Sequence, residues 1–516
     1  MRTMDATLLH TDVLVIGAGP TGLMAGAWLQ KFGIPALVID PKSGPTRESR
    51  ALALQARSME IYRQLGLAEK VKERAVPAGE LRPGIGARSF KSIKLNRLGY
   101  SQTAYAGLTM LEQSANEELL SEQLAAGGHE VLWGHGFDSL QDTGEHLLIK
   151  CTGPNGPVDI TASYVIAADG AASPVRESLD INFEGNTNDE VFYVLDAQGV
   201  TGTGSGINLR FSEENFMLGF PMGPGADGAQ RRRLLGILHD PATASQRPDI
   251  DEDRARNNLR EEFGIRYSSA AWFATYRVHH RVAEHFAKGR VFLTGDAAHI
   301  HSPIGAQGMN TGLQDAHNLV CKLADVLTGR MPESYLARYE AERRPVALRL
   351  VATTDKLFAA ATANTTLARL VRTRLLPMIW PIAIRLMGRI PAGRRAFGYL
   401  SQIRIHYWMD DGAADRATLA TGFARTRRRG AVLGRRLPWV PNRSGEYPDN
   451  FEVLNDASWQ VHIYGPLGRK RGQTLADEYS VPLHEFAPAP KRSLPDGSVL
   501  LVRPDMFVAH FEVASA

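Results

Sequence analysis

Short apolar runs, each closed by a glycine or an acidic residue, set the rhythm of this chain. Asp12-Val-Leu-Val-Ile16 is rich in β-branched residues and predicts a buried strand, and Pro35-Ala-Leu-Val-Ile39, ending on Asp40, predicts a second. Tyr164-Val-Ile-Ala-Ala168 and Arg290-Val-Phe-Leu-Thr294 have the same character. Between 186 and 284 the pattern changes. Glu190-Val-Phe-Tyr-Val-Leu-Asp196, Asn208-Leu-Arg-Phe211, Phe216-Met-Leu-Gly-Phe220 and Arg233-Leu-Leu-Gly-Ile-Leu238 are separated by Gly and Pro, and predict successive antiparallel strands. From about 311 to 408 the spacing turns helical. Met309, Leu313, Ala316, Leu319, Val320 and Leu323 recur at helical intervals and predict a helix with one core face. The tail returns to short strands: Trp459-Gln-Val-His-Ile463, Ser480-Val-Pro-Leu-His484, and a hairpin over 498–510.

The glycines after the first strand carry chemistry. Gly17-Ala-Gly-Pro-Thr-Gly22 has the Gly-x-Gly-x-x-Gly spacing of a strand-to-helix turn that binds a dinucleotide. Gly17 permits the tight turn, Gly19 lets the backbone approach a pyrophosphate, and Gly22 allows the helix beginning near Pro20 to pack on the strand. The phosphates would sit at that helix's N-terminus, where unpaired N–H groups and the dipole favour an anion. Asp40, roughly 20 residues further on, suits a ribose diol and disfavours a 2′-phosphate. Thr21 and Lys42 stand beside these positions as further cofactor contacts. Alone, the turn leaves NAD and FAD open.

Two more stretches narrow the choice. Ala168-Asp-Gly-Ala-Ala-Ser-Pro-Val-Arg176 closes a strand, and Gly295-Asp-Ala-Ala-His-Ile-His-Ser-Pro303 runs on into Gly305-Ala-Gln-Gly-Met-Asn310. With the first motif, and in this order, they resemble the flavin-dependent aromatic hydroxylases, the single-component monooxygenases that include p-hydroxybenzoate hydroxylase. The resemblance implies an α/β fold. A FAD-binding, Rossmann-like domain of the glutathione-reductase type would be assembled from 1–80, 105–185 and 285–400. An antiparallel β substrate domain would take 81–104 and 186–284, with a linker at 401–429. Residues 430–516 resemble the thioredoxin-like C-terminal domain of the phenol, chlorophenol and polyketide hydroxylase branch. Without Cys-x-x-Cys, that domain performs no thiol redox chemistry.

The same resemblance assigns residues. Asp169 and Gly170 would serve the FAD pyrophosphate and a passing nicotinamide cofactor, and Asp296 would hold the ribityl chain. Pro303, Gly305, Gly308, Met309 and Asn310 would lie over or beside the isoalloxazine ring, with Pro303 at its reactive part. Arg50, in Glu48-Ser-Arg50-Ala51, and Gln113, in Leu111-Glu-Gln-Ser-Ala-Asn116, stand where flavin contacts are expected. The implied reaction has non-covalent FAD take a hydride from NADPH or NADH, meet O2, and pass oxygen from a C4a-hydroperoxide to a phenolic or polyketide-like substrate. The cofactor carries the hard chemistry, and the protein supplies position, dryness and electrostatics. A helix N-terminus near Met309 suits an anionic reduced flavin. Handling a phenol proton needs a further group, and Tyr276, Arg277, His280 and Tyr193 are the candidates. A flavoprotein that sequesters an aromatic ligand, or a flavin-linked reductase without oxygen transfer, would share these motifs.

Composition sets the surroundings. At 516 residues the chain exceeds one core, so two or three domains are expected. A net charge of +4 on this length demands no nucleic acid. Cys151 and Cys321 form no disulfide framework or metal spacing, and His299 and His301 lack a third spaced ligand, so no metal is expected. Met1 to Thr11 contains Asp5 and His10 and no long apolar core, unlike a signal peptide. Leu375 to Arg385 is apolar but broken by Pro377 and Pro381, and reads as an interface or buried helix rather than a membrane span. The expectation is a cytoplasmic enzyme, monomer or homodimer, acting on a small aromatic substrate, with no nucleic acid partner and no transmembrane segment.

Overall fold

The computed structural model describes residues 7–47, 51–213, 215–225, 228–237, 251–302, 305–362, 375, 378–379, 391–407, 432–442 and 447–514. Arg50, Pro303 and most of the apolar stretch 375–385 lie outside them.

The first expected strand is β1 (Thr7–Ile16), followed by α1 (Pro20–Lys31) and β2 (Ala36–Asp40). Next come α2 (Ala56–Gln64), α3 (Gln113–Ala126), β3 (Val131–Trp133), β4 (Gly136–Asp142), β5 (Leu147–Gly153) and β6 (Gly156–Ala167). Six of these elements form a sheet in the order β4-β5-β6-β1-β2-β3, and Val291–Leu293 adds a further strand beside β6. β1 lies parallel to both neighbours. Its residues Val13–Ile16 are all buried, as expected of parallel strands covered on both faces. Register then decides where the site falls. Ile16 sits abreast of Ile39 and of Ala167, and Ala167 abreast of Leu293. Four segments far apart in sequence therefore leave the sheet at one edge, the carboxyl ends of parallel strands, where ligands of such sheets bind.

A second sheet contains β7 (Phe183–Gln198), β8 (Ile207–Phe211), β9 (Phe216–Pro221), β10 (Arg231–Ile237) and β11 (Ser269–Ala283). Its order is β11-β7-β10-β9-β8, antiparallel at each of these steps, and Glu80–Ile85 extends it in parallel beyond β8. An unexpected helix, α4 (Glu252–Phe263), covers one face. Asp251 caps it by accepting from the Arg254 N–H at 2.8 Å, and Gly264, at φ +65°, ends it in the left-handed region. Leu259 and Phe263 of this helix pack on Tyr193, Leu195 and Leu234, at roughly 1.5–3 kcal/mol per fully buried side chain. The opposite face meets the first sheet's loops. Ile207, Phe220 and Met222 cluster there with Leu52, Ala53 and Ala306.

α5 (Gly308–Leu327) and α6 (Ala337–Thr362) follow. The spacing predicts one core face for α5, but every residue from Asn310 to Asp325 is buried. Its polar residues are covered by α6 and by the C-terminal part of the chain: Lys322 pairs with Glu342, Asn318 bonds Asp505, and Asp325 accepts from Trp459. That C-terminal part contains β12 (Gln460–Tyr464), α7 (Arg469–Tyr479), β13 (Leu483–Phe486), β14 (Ser498–Val502) and β15 (Val508–Val513). The order is β13-β12-β14-β15, with β12 and β13 parallel across α7. The reading of Ser480–His484 as a strand shifts, because α7 runs to Tyr479 and the strand begins at Leu483. No helix among the described residues is long and apolar enough to cross a membrane.

Candidate active site

The glycine turn is dictated by close approach. Gly17 has φ +104°, and a Cβ there would overlap the Ala168 carbonyl, while one on Gly22 would overlap the Gly17 carbonyl. Gly19 differs, since a Cβ there meets nothing within 4 Å although Ala18 beside it is fully buried. This glycine opens onto free space at the N-terminus of α1, where Pro20 takes the first helical position and no side chain caps the turn. Asp40 braces the turn from below. Its Oδ2 accepts from the Ala18 N–H at 2.6 Å and its Oδ1 from the Lys42 N–H at 2.8 Å.

Lys42 Nζ lies 3.5 Å from Glu117 Oε2 and donates to Thr46 Oγ1 at 3.1 Å. Glu117, fully buried, also accepts from the Thr46 N–H at 2.7 Å and from Gln113 Nε2 at 2.9 Å, and Gln113 Oε1 accepts from the Ala51 N–H at 3.2 Å. Lys42 and Gln113 thus belong to one cluster joined by Glu117, which sequence reasoning missed. The available signal was its place four residues after Gln113, on the same helical face.

Asp169 builds the second motif. Oδ1 accepts from Ser173 Oγ at 2.7 Å and Oδ2 from the Val175 N–H at 3.0 Å, while burial raises its carboxyl above the usual range. A Cβ on Gly170, at φ +84°, would meet nothing within 4 Å, so this turn also opens onto space. Arg176 reaches the third motif, donating to the Ala297 carbonyl at 3.0 Å and to the Ala171 carbonyl at 3.0 Å.

In that motif Thr21 of α1 touches both Gly295 and Gly312, where any Cβ would overlap its side chain. Asp296 is exposed between buried Gly295 and Ala297, so its carboxylate projects from the turn. His299 Nε2 donates to Asp315 Oδ2 at 2.7 Å, which leaves this histidine as a packed structural ring. Burial and the neighbouring His299 push His301 down to about 4, so it is neutral at pH 7. No group of three metal-ligating side chains occurs among the described residues.

Asn310 is held by its side chain. Its Oδ1 accepts from the Gln55 N–H at 2.8 Å and Ser58 Oγ at 2.6 Å, and its Nδ2 donates to the carbonyls of Ala53 at 2.7 Å and Ala306 at 2.9 Å. All four hydrogen-bonding positions of the amide are used, so only its backbone could face a flavin. Gln55, also missed, donates from Nε2 to the Gly305 carbonyl at 3.0 Å and holds the segment Gly305-Ala306, whose φ angles are +91° and +52°. Met309 is half-buried, its sulfur 3.9 Å from Asn116 Nδ2, and Gly308 lies beside His301.

The second sheet sorts the proton-handling candidates by face. Phe192, Val194 and Asp196 alternate onto one face, opposite Tyr276, Ala274 and Trp272 of β11. Arg233 on that face grips Asp196 with two 2.7 Å bonds and reaches the Ala51 carbonyl at 3.5 Å, so this face looks toward the glycine-motif edge. Tyr276 stacks on Phe192 there at 5.6 Å. Burial raises its hydroxyl pKa and keeps it a proton donor. Tyr193 is not brought to this face: it lies on the reverse face under α4, fully buried among Leu195, Leu234 and Phe263. Arg277 alternates onto the same reverse face and is exposed. His280 is buried, and the pairing of Arg281 with Ile300 sets it abreast of His301.

Residues 10–354 match the family described as FAD binding domain. The chain belongs to this family of FAD-binding aromatic hydroxylases. Among its relatives is the 6-methylpretetramide 4-monooxygenase of Streptomyces rimosus, 32% identical over an alignment of 536 positions, gaps included, that covers 96% of this chain and 90% of that protein. The solved anhydrotetracycline hydroxylase of Streptomyces rimosus superposes with a TM-score of 0.73 at 26% identity, covering 98% of this chain and 96% of the other. An aklavinone-11 hydroxylase solved with FAD and aklavinone gives a TM-score of 0.76 at 23% identity over 100% and 97%, a likeness of fold. The geometry fits the family's cofactor. Gly19 and Gly170 open onto space where an added Cβ meets nothing, and Asp296 projects between buried neighbours.

Proposed function

We propose that this protein is a monooxygenase that uses FAD, NADPH or NADH, and O2 to hydroxylate a phenolic or polyketide-like aromatic substrate. The observation that carries the reading is the end-to-end match with 6-methylpretetramide 4-monooxygenase, which spans 96% of this chain and 90% of that protein. FAD, when bound, would supply hydride acceptance and oxygen activation. The protein's own groups would do the rest. Gly19 and the first turn of α1 bind the pyrophosphate, Asp40 and Lys42 the ribose side, and Asp296 the ribityl chain. The N-terminus of α5, with the backbone of Gly308, Met309 and Asn310, offsets negative charge on the ring, and Arg50, Gln113 and Pro303 complete its surroundings. Asp169 and Gly170 border the path of the nicotinamide cofactor. Tyr276 holds the substrate hydroxyl by donating to it, and His280 is the candidate to accept its proton. The apolar face carrying Phe192, Phe220 and Leu235 excludes water.

The domain division proposed is 1–80, 105–185 and 285–400 for FAD, 81–104 and 186–284 for substrate, and a thioredoxin-like unit from 430. The pairing of Glu80–Ile85 with β8 and the β-α-β-β-β order of the tail support it. A cytoplasmic monomer or homodimer is the setting.

The test is anaerobic reduction of the purified protein by NADPH and by NADH, followed in the visible, with and without phenols and larger aromatic polyketides. One compound that greatly accelerates bleaching, and gains one oxygen atom when O2 is admitted, supports the reading. Flavin reduction without any oxygenated product favours a reductase, and tight aromatic binding without reduction favours a sequestering protein.

A further inference from the structure

The C-terminal unit carries no redox cysteines, yet its hairpin tip reaches the centre of the molecule. Arg503, Pro504, Asp505, Met506 and Phe507 form the turn between β14 and β15, and all five are buried. Arg503 donates to both oxygens of Glu342, at 2.6 and 2.9 Å, Asp505 accepts from Asn318 Nδ2 at 3.0 Å, and Arg57 donates to the Asp505 carbonyl at 2.9 Å. The tip is therefore wedged between α2, α5 and α6.

From it a single chain of contacts runs to the flavin-binding edge. The Phe507 ring stacks on Tyr407 with centroids 4.0 Å apart. Tyr407 Oη accepts from Arg343 Nη1 at 3.0 Å. Arg343, with no exposed surface, donates from Nε to Asp315 Oδ1 at 2.6 Å. The other oxygen of Asp315 accepts from the Gly295 N–H at 3.2 Å, at the turn that presents Asp296.

We propose that the C-terminal hairpin tip is a positioning element for the flavin site, acting through Tyr407, Arg343 and Asp315 on the Gly295-Asp296 turn. The proposal rests on the reading that Asp296 holds the flavin. Bare stability is a weak reason for such a chain, because apolar side chains of similar volume stabilise a core equally well or better than buried ion pairs. What hydrogen-bonded charges add is one fixed geometry. A planar guanidinium with its Nε and Nη1 bonds both engaged tolerates little displacement of either partner.

The test uses the full chain in three variants. Tyr407→Phe removes only the hydroxyl that orients Arg343, Phe507→Leu removes the contact from the C-terminal side, and Asp296→Ala probes the flavin reading. FAD affinity is read by fluorescence quenching, the ring's setting by visible circular dichroism, and folding by the thermal midpoint of the apoprotein. Tyr407→Phe and Phe507→Leu should each weaken FAD about tenfold and alter the visible dichroism, with the double variant no worse than either, because both act along one chain. Unchanged affinity and dichroism in both, with Asp296→Ala weakening FAD, overturns the proposal and leaves the site reading intact. FAD bound as tightly by Asp296→Ala as by the parent overturns both.

Discussion

Arg176 donates from Nη1 to the Ala297 carbonyl at 3.0 Å, across 121 residues of sequence. The bond ties the Asp169-Gly170 turn to the turn that presents Asp296. The guanidinium also bonds the Ala171 carbonyl at 3.0 Å and sits 4.0 Å from the Phe183 ring centre, so it is occupied as a strut. Arg176→Met should cost about 1–3 kcal/mol by leaving the buried Ala297 carbonyl unmatched. Arg176→Lys should recover little, since one ammonium cannot span both turns. Urea unfolding of the apoprotein measures both. A lysine variant as stable as the parent would show that charge alone suffices.

Gly19 and Gly312 separate folding from cofactor binding. A Cβ on Gly19 meets nothing within 4 Å, so Gly19→Ala should leave the apoprotein's stability within about 0.5 kcal/mol. The same methyl occupies space proposed for pyrophosphate, so FAD affinity should fall more than tenfold. At Gly312 a Cβ would overlap Thr21 and crowd Gly295, so Gly312→Ala should cost about 1–3 kcal/mol with or without FAD. Equal effects of the two on apoprotein unfolding would contradict this division.

The two tyrosines on opposite faces make a paired test of the substrate site. Tyr193 Oη is buried with no hydrogen-bond partner among the described residues. Tyr193→Phe should therefore be neutral or stabilise by about 1 kcal/mol and leave turnover unchanged. Tyr276→Phe should keep NADPH oxidation but lower product formed per NADPH by about a hundredfold, if its hydroxyl orients the substrate. Coupling ratios from oxygen uptake and product analysis decide it. Impairment by Tyr193→Phe would mean that the catalytic face of the sheet is the one under α4.

What could be read from the chain was local backbone chemistry. Gly17, Gly19 and Gly22 announce a turn because their requirement lies within six residues, and the apolar runs beside them place that turn at a sheet edge. Facing is different. Tyr193 and Phe192 are adjacent in the same run, and only the arrival of α4 on one side decides which looks toward the flavin edge. Asp251 and Gly264 are a capping pair that would have revealed that helix. The burial of α5 was equally out of reach, because Asn318 and Lys322 look like a solvated face until Asp505 and Glu342 cover them from far along the chain. The partners of the Asn310 amide were out of reach for the same reason, because Gln55, Ser58 and Ala53 lie about 250 residues earlier in the chain.

Acid should destabilise the protein through its buried histidines. Burial and His299 push His301 down to about 4, burial and His484 push His462 down to about 3, and burial takes His317 well below its usual range. In the unfolded chain these rings bind protons from about pH 6.5 downward, while in the native protein His301 stays neutral to about pH 4, His462 to about pH 3, and His317 is likewise held neutral well below its usual range. The unfolded state thus holds more protons in that window, and stability falls as pH drops through it, by roughly 1.4 kcal/mol per pH unit for each histidine. Asp325 opposes them. Burial pushes it up to about 6 from 3.8, so between those values the native state holds the extra proton and one histidine's slope is offset. Asp169, whose carboxyl burial also raises, acts in the same sense as Asp325, but the three histidines outnumber these two carboxyls, and urea midpoints should decline from about pH 6.5 to about pH 4. His462→Gln, which removes one ring from the interior of β12, should flatten that decline measurably relative to the parent. Parallel curves for the two proteins would show that His462 is protonated in the fold, against the burial that keeps it neutral.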